Sequence, residues 1–218
     1  MTYGSEMELP PEKMEARKKA ASIILNRISG SYEFAFKTFS DEECENSSEA
    51  QFFLGIMYLY GYGTEKNDSK AFEHMEKSYE LGNPNSAYYL GLMYLNGIGT
   101  FKVAFKAMAL FKEAAHNNEN DHRAQLQIGL MYLEGVGTVE NPENAFKWIK
   151  RAAEHTDAEA QFILGQLYRV GYGCKKDPGS MKNWLELAAA RGHLGANTLL
   201  GNIYTNGDGV RANKERGQ

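Results

Sequence analysis

The sequence has little cysteine, and its two thiols, Cys44 and Cys174, lie far apart without a Cys-x-x-Cys pair. Two distant cysteines exclude a disulfide framework as the organiser of the fold and suggest a reducing compartment. No stretch approaches the roughly 18 consecutive apolar residues that a membrane-spanning helix needs, and the first residues lack the basic start and apolar run of a signal peptide. These absences predict a cytoplasmic location and no direct membrane insertion, unless a targeting segment belongs to a longer natural chain.

The sequence also lacks a concentrated block of positive charge. Its 24 Lys and Arg residues are outnumbered by 28 Asp and Glu residues, and the formal net charge is −4. The basic clusters, Arg17–Lys19 and the tail at 211–216, are short and are interpreted as solvated surface. Because binding to backbone phosphates needs a dense basic patch, nucleic acid is excluded as the default partner.

Recognisable catalytic and metal-binding motifs are absent as well. No Walker phrase or Ser-x-x-Lys occurs, and no two histidines have the i, i+4 spacing of a metalloprotease helix; the histidines are His74, His116, His122, His155 and His193. His116 and His122 flank an acidic loop, but surface polar residues are the better interpretation than metal ligands. Cys174 has no histidine partner nearby in sequence and is interpreted as a small filler. We therefore expect no enzyme activity, no catalytic or metal-binding residue and no cofactor.

The sequence contains one motif that recurs five times. It reads LGIMYLYGYGT, LGLMYLNGIGT, IGLMYLEGVGT, LGQLYRVGYGC and LGNIYTNGDGV, and its first glycine recurs every 36 to 38 residues at Gly55, Gly91, Gly129, Gly165 and Gly201. Its Gly-x-Gly pairs are Gly61 and Gly63, Gly97 and Gly99, Gly135 and Gly137, and Gly171 and Gly173. A nucleotide-binding loop would occur once, after a strand, whereas this pair follows a helical pattern every time. The thirteen glycines are therefore assigned structural roles in a repeat.

Each repeat is predicted to be a pair of antiparallel helices. The first helix has apolar residues at helical spacing around its glycine, which indicates that another helix packs closely there. The Gly-x-Gly pair ends this helix, because glycine tolerates the left-handed conformation of a C-cap. Asn141-Pro142 and Asp177-Pro178 then start the second helix with an N-cap side chain followed by proline.

These residues resemble the Sel-1-like repeats, which are relatives of the tetratricopeptide repeat. The third copy matches that family's pattern at Ala124, Ile128, Gly129, Tyr132, Gly135, Gly137, Ala145, Trp148, Ala152 and Ala153. The resemblance covers residues 49 to about 210, and the second copy departs from it with Ser86 in place of an alanine. It implies an all-α fold, a right-handed superhelical α-solenoid of helix-turn-helix repeats of about 36 residues. It also implies a scaffold or adaptor that binds proteins.

The predicted organisation has three parts. Residues 1–48 form an N-terminal helical cap, with helices over 12–29 and 31–39 and a polar connector over 41–48. Residues 49–210 form the solenoid, with four full repeats and the first helix of a fifth. Residues 211–218 are expected to be a disordered or truncated tail.

The first helices of the repeats are expected to line the inner surface of the solenoid. By the tetratricopeptide analogy, the residues that reach this surface are Phe52, Ile56, Leu59, Tyr88, Leu92, Leu95, Leu126, Leu130, Leu133, Phe162, Gln166 and Arg169. The fifth copy adds Thr198, Asn202 and Thr205, so the surface is apolar in three repeats and polar in the last two.

Several interpretations of this surface stay open. Nine large apolar side chains would exceed the few hundred Å² of apolar patch that a monomer usually exposes, which favours a groove that captures a peptide or amphipathic helix of a partner protein. Alternatively, these residues are core between repeats, or the N-terminal helices or a second copy cover them. In a further alternative, the chain is a structural or regulatory arm of a larger repeat protein or of a signalling or secretion-associated complex, whose binding surface lies elsewhere.

Overall fold

The structure is a computed structural model that describes residues 11–26, 31–117 and 121–206. All regular secondary structure in these ranges is helical. The predicted all-α class is therefore confirmed. The predicted tail at 211–218 lies outside the described residues.

The helices follow one another in pairs along the chain. The N-terminal segment contains α1 (Pro11–Leu25), α2 (Tyr32–Phe39) and a short 3-10 helix over Glu42–Cys44. The repeats contribute α3 (Ser48–Tyr60), α4 (Asp68–Glu80), α5 (Ser86–Asn96), α6 (Ala104–Asn117), α7 (His122–Glu134), α8 (Pro142–Glu154), α9 (Ala158–Val170), α10 (Pro178–Ala190) and α11 (Leu194–Asn206). The odd-numbered helices from α3 onward carry the repeated glycine, and we call them the inner helices; the even-numbered helices from α4 onward are the outer helices.

The chain divides into two compact units. Unit 1 comprises residues Met1–Lys102 with α1 to α5, and unit 2 comprises Val103–Gln218 with α6 to α11. The boundary falls in the loop between α5 and α6, inside the second repeat.

The outer helices α8 and α10 begin where the sequence predicts them. The side chain of Asn141 accepts a hydrogen bond from the backbone N–H of Asn144 at 2.9 Å, and Pro142 occupies the first turn. Asp177 does the same for α10, where it accepts from the backbone N–H groups of Gly179 and Ser180. Hydrogen bonds from Ser180, first from its side chain and then from its backbone, lower the pKa of the Asp177 carboxyl. These caps satisfy N–H groups that the helix itself leaves without partners.

The inner helices end at the first glycine of each Gly-x-Gly pair. Gly171 has φ 78° and donates its N–H to the carbonyl of Leu167, the left-handed C-cap that the sequence predicts. The same cap ends the other inner helices that precede a described corner, at Gly61, Gly97 and Gly135.

The second glycine of each pair has a different role, because it lies in close contact with the backbone at the start of a preceding helix. Gly173 has φ 70°, and a Cβ atom built there would overlap the carbonyl group of Pro142, the first residue of α8. Gly63, Gly99 and Gly137 lie in the same way against Tyr32, Asp68 and Ala104, which begin α2, α4 and α6. The corners are therefore packing contacts between neighbouring repeats, and a side chain would keep them apart.

In unit 2 one core lies between the outer helix α8 and the inner helices α7 and α9. In unit 2, Ile149 of α8 is fully buried with Leu164 and Leu167 of α9 and a set of alanines. Gly129 of α7 lies so close to Ile149 that a Cβ atom would overlap the isoleucine Cγ1. The close approach predicted at the inner-helix glycine is thus observed.

Ser86, the departure from the repeat pattern, is explained by a second serine. Ser78 and Ser86 are both fully buried where other repeats place alanines, for example Ala152 and Ala160. Ser86 Oγ donates to Ser78 Oγ at 2.7 Å, and Ser78 Oγ donates to the carbonyl of Ser48 at 2.7 Å. The two hydroxyls therefore satisfy one another across the α4–α5 turn.

This chain of hydroxyls predicts strongly non-additive substitutions. We expect Ser78→Ala to lower the free energy of unfolding by about 1–3 kcal/mol, because it leaves the buried Ser86 hydroxyl without its acceptor. Ser86→Ala should cost less, since Ser78 keeps its bond to the Ser48 carbonyl. The double variant should be more stable than Ser78→Ala alone, as measured by urea denaturation. Additive losses would contradict the coupling.

Candidate partner-binding surface

The predicted inner-surface residues divide into two groups by exposure. Phe52, Ile56 and Leu126 are buried, with only 9%, 7% and 7% of their surface exposed. The other nine are half-buried and reach the surface in part; they are Leu59, Tyr88, Leu92, Leu95, Leu130, Leu133, Phe162, Gln166 and Arg169. Phe52, Ile56 and Leu126 therefore fit the alternative in which these residues are core between repeats, whereas the other nine keep some contact with solvent.

In unit 1 the end of the N-terminal helix lies near two of these buried residues. Ile24 and Leu25 of α1 line the same cavity of about 410 Å³ as Phe52 and Ile56 of α3. Ile24 is 5% exposed, so α1 contributes side chains to the face that the tetratricopeptide analogy assigns to a partner.

An aromatic cluster borders the same cavity. The rings of Phe52 and Tyr89 meet edge to face with centroids 5.3 Å apart, and Tyr88 lies edge to face on Tyr89 at 5.5 Å. Such pairs add to the stability that burial alone provides. Tyr89 was missed by the sequence analysis, which assigned the surface by one fixed register.

In unit 2 the earlier inner helix α7 has apolar residues at the predicted positions, and the later inner helix α11 has polar residues there. Leu130 and Leu133 of α7 pack against the core that contains Leu126 and keep partial exposure. On α11, Thr198 and Thr205 are exposed, and their hydroxyls donate to carbonyls one turn earlier, at Leu194 and Gly201. The predicted change from apolar to polar residues is therefore a real difference between helices of this unit.

Phe162 is less available than its position suggests. Its ring stacks on the imidazole of His193 with centroids 4.4 Å apart. The Nε2 atom of His193 lies 2.9 Å from Oε2 of Glu159, which holds the imidazole over the ring.

His122, Cys44 and Cys174 each contact a neighbouring polar group. His122 Nε2 lies 3.8 Å from Asp157 Oδ2. In the described part of the chain, no group of three His, Cys, Asp or Glu side chains could hold a metal ion. Burial, and then the charge of Asp177, raise the pKa of the Cys174 thiol, which disfavours the reactive thiolate.

Across the residues described, no helix combines the length and apolar character needed to cross a membrane.

Buried glutamines are a repeated feature that the sequence analysis missed. Gln51, Gln125 and Gln161 lie four residues before the inner-helix glycine, and each is at most 4% exposed. Gln51 donates from Nε2 to the carbonyl of Glu45 at 2.9 Å, and Gln161 donates to the carbonyl of Ala153 at 3.1 Å. These bonds tie the start of an inner helix to the segment before it. The signal that could have found them is a glutamine at the same position in three of the five copies.

Comparison with known families and structures agrees with this architecture. The family model described as the Sel1 repeat matches residues 48–83, 84–119, 122–157, 158–193 and 195–218. The chain belongs to the Sel1 repeat family. Sel1 repeat proteins are generally scaffolds for protein interactions and form a non-catalytic repeat family. No curated protein matches this Sel1 repeat chain at a significant level.

Solved structures show the same fold. A Sel1 repeat protein from Oxalobacter formigenes is 29% identical, with a TM-score of 0.82 over 93% of this chain and 78% of its own. The protein c5321, a protective antigen present in uropathogenic Escherichia coli strains, is 20% identical with a TM-score of 0.81 over 94% of this chain and 44% of its own. A putative Sel1 repeat protein from Klebsiella pneumoniae is 19% identical, with a TM-score of 0.58 over 88% of this chain and 93% of its own. The predicted solenoid class, with repeats of about 36 residues, is therefore confirmed.

Proposed function

We propose that this Sel1 repeat protein is an adaptor whose inner helices bind a peptide or an amphipathic helix of a partner protein. The observation that supports this function is the set of half-buried apolar side chains on those helices. In unit 1 they are Leu59, Tyr88, Leu92 and Leu95, and in unit 2 they are Leu130 and Leu133. Each unit is proposed to offer its own apolar contact surface.

The proposed contacts are smaller than the sequence alone suggests. Phe52, Ile56 and Leu126 serve the core, so a partner gains little from them. The half-buried leucines still expose apolar area to water, and covering apolar area stabilises a complex by about 25 cal/mol per Å². An amphipathic helix covers such a row with residues one turn apart.

The proposal is tested by substitution of two leucine pairs. Leu92→Ser with Leu95→Ser changes unit 1, and Leu130→Ser with Leu133→Ser changes unit 2. We expect each pair to reduce capture of at least one native partner about tenfold, in affinity purification followed by quantitative mass spectrometry. The physical reason is that each half-buried leucine contributes only a fraction of the roughly 1.5–3 kcal/mol that full burial provides, and a loss of about 1.4 kcal/mol per pair corresponds to tenfold.

Control variants separate binding from folding. Val139→Ser and Leu187→Ser remove exposed apolar side chains, 83% and 43% accessible, that lie outside the inner helices. They should leave the captured set unchanged. Circular dichroism must show the same helix content in all variants. Undiminished capture by both folded leucine pairs would contradict the proposal and favour a binding surface elsewhere.

A further inference from the structure

Unit 2 contains a cavity of about 600 Å³ whose lining is rich in positive charge. It is lined by three residues of α6, one of α7, two of α8 and one that follows α8, namely Lys112, Ala115, His116, Gln125, Trp148, Arg151 and His155. None of the described residues that line it is an aspartate or glutamate, although acidic residues outnumber basic ones in the sequence. The leucines that are proposed to bind a partner are not among the described residues that line this cavity.

Two residues that line this cavity, Lys112 and Arg151, carry a positive charge at neutral pH, and each charged group lies over an aromatic ring. The guanidinium carbon of Arg151 lies 5.0 Å from the Trp148 ring centroid, and Lys112 Nζ lies 5.7 Å from that of Tyr132. Among the described residues, neither cation forms an ion pair with a carboxylate. Glu154, which is nearby on α8, lies 4.0 Å from Lys150 instead. A ring face attracts a cation but leaves its N–H groups able to donate to a ligand.

The equivalent position in unit 1 has the opposite charge. Gln51, His74 and Lys77 occupy the repeat positions of Gln125, Trp148 and Arg151. The cavity beside Gln51 and His74 measures about 320 Å³, and Asp41, Glu42 and Glu45 are part of its lining.

The cation of unit 1 is neutralised by the chain itself. Lys77 Nζ lies 3.2 Å from Oε1 of Glu45. His74 Nδ1 lies within hydrogen-bond distance of Gln51 Oε1, at 2.7 Å, and burial lowers the pKa of this imidazole. The cation at this repeat position is therefore paired with a carboxylate in unit 1, whereas within 121–206 and the described part of α6 no carboxylate pairs with Arg151 or Lys112.

We propose that the cavity of unit 2 binds an acidic side chain of an extended peptide. Its carboxylate accepts charge-assisted hydrogen bonds from Arg151 and Lys112, which are stronger than bonds between neutral groups. The apolar face of Trp148 offers area for the methylene groups of a glutamate. The cavity has the size of a ligand site, about 300–1,000 Å³ in proteins generally, and an isolated small anion would leave most of it empty.

Tryptophan fluorescence of the full chain tests this site directly. The chain has two tryptophans, so Trp184→Phe leaves Trp148 as the sole reporter inside the cavity. The probe is an acetylated and amidated peptide, Gly-Ser-Glu-Glu-Glu-Ser-Gly, with a glutamine version as control. We expect a saturable change in Trp148 emission with the glutamate peptide and none with the glutamine peptide at equal concentration.

Charge variants decide whether Lys112 and Arg151 are responsible. In the Trp184→Phe background, Lys112→Ala with Arg151→Ala should weaken peptide binding at least tenfold. Lys147 is an exposed lysine on α8, the helix of Arg151, and is not among the described residues that line the cavity. Lys147→Ala should therefore leave peptide binding within twofold. Calorimetric titration of the unsubstituted chain provides the same comparison if Trp184→Phe perturbs the fold.

Three outcomes would overturn the assignment. The first is no emission change and no heat with millimolar glutamate peptide, and the second is equal binding by the double alanine variant. The third is an equal response to inorganic phosphate at the same concentration, which would indicate a small-anion site. None of these outcomes depends on the leucine pairs, so the cavity and the adaptor function are tested separately.

Discussion

Gly173→Ala is expected to lower the free energy of unfolding by about 2–5 kcal/mol, since left-handed strain costs about 1–2 kcal/mol and overpacking about 1–3 kcal/mol. Gly173 has φ 70°, which side chains of L-residues rarely adopt. In addition, its new methyl group would overlap the backbone carbonyl of Pro142, and backbone cannot rotate away as a side chain can. The loss is measured by urea denaturation followed by circular dichroism.

Gly192→Ala is the matched control for this prediction. Gly192 has φ 82° and also lies in unit 2, but no heavy atom lies within 4 Å of the position that its Cβ would take. It therefore carries the conformational strain without the contact, and should cost only about 1–2 kcal/mol. Equal losses for the two variants would show that the corner glycine is required for its dihedral angle alone.

Ile149→Ala is expected to destabilise the protein by about 2–5 kcal/mol, the usual cost of truncating a buried isoleucine. Ile149 is fully buried and joins α8 to α9 through Leu164 and the surrounding alanines. Its side chain also fills the space beside Gly129 on α7. Neighbouring repeats share this core, since it contains residues of both α8 and α9. The loss should therefore appear as a lower urea concentration at the midpoint of unfolding.

The contact with Gly129 supplies a sharper test of the same packing. Gly129→Ala gains up to about 1 kcal/mol of helix propensity, but its methyl group would overlap Cγ1 of Ile149. In the Ile149→Ala background that overlap is gone, and the methyl group fills part of the cavity. We expect the double variant to be more stable than the sum of the single changes predicts, by at least about 1 kcal/mol. Additivity would mean that the two residues are not in contact.

Much of the fold could be predicted because it depends on local sequence. Caps such as Asn141 and Asp177, and the left-handed glycines, are determined by residues within a few positions of each other. Five copies of one phrase also made the repeat visible without any structural information. The Ser78 and Ser86 pair shows the limit, since the departure at Ser86 was visible but its partner lies in the preceding helix.

The candidate sites were harder to predict because they depend on contacts distant in sequence. A register borrowed from the tetratricopeptide repeat assigned Phe52 and Ile56 to the inner surface, but it could not show that both are buried. The cationic cavity of unit 2 needs Lys112 and Arg151, which belong to different repeats. No periodic pattern links these two residues, so only their spatial neighbourhood reveals the charge.

Hydrogen–deuterium exchange of the protein with and without a captured partner tests the adaptor proposal most directly. The account predicts that binding slows exchange in the inner helices that carry the half-buried leucines, α3 and α5 in unit 1 and α7 in unit 2. Exchange in α10, an outer helix, should remain unchanged. Protection confined to the outer helices, with α3, α5 and α7 unaffected, would contradict it.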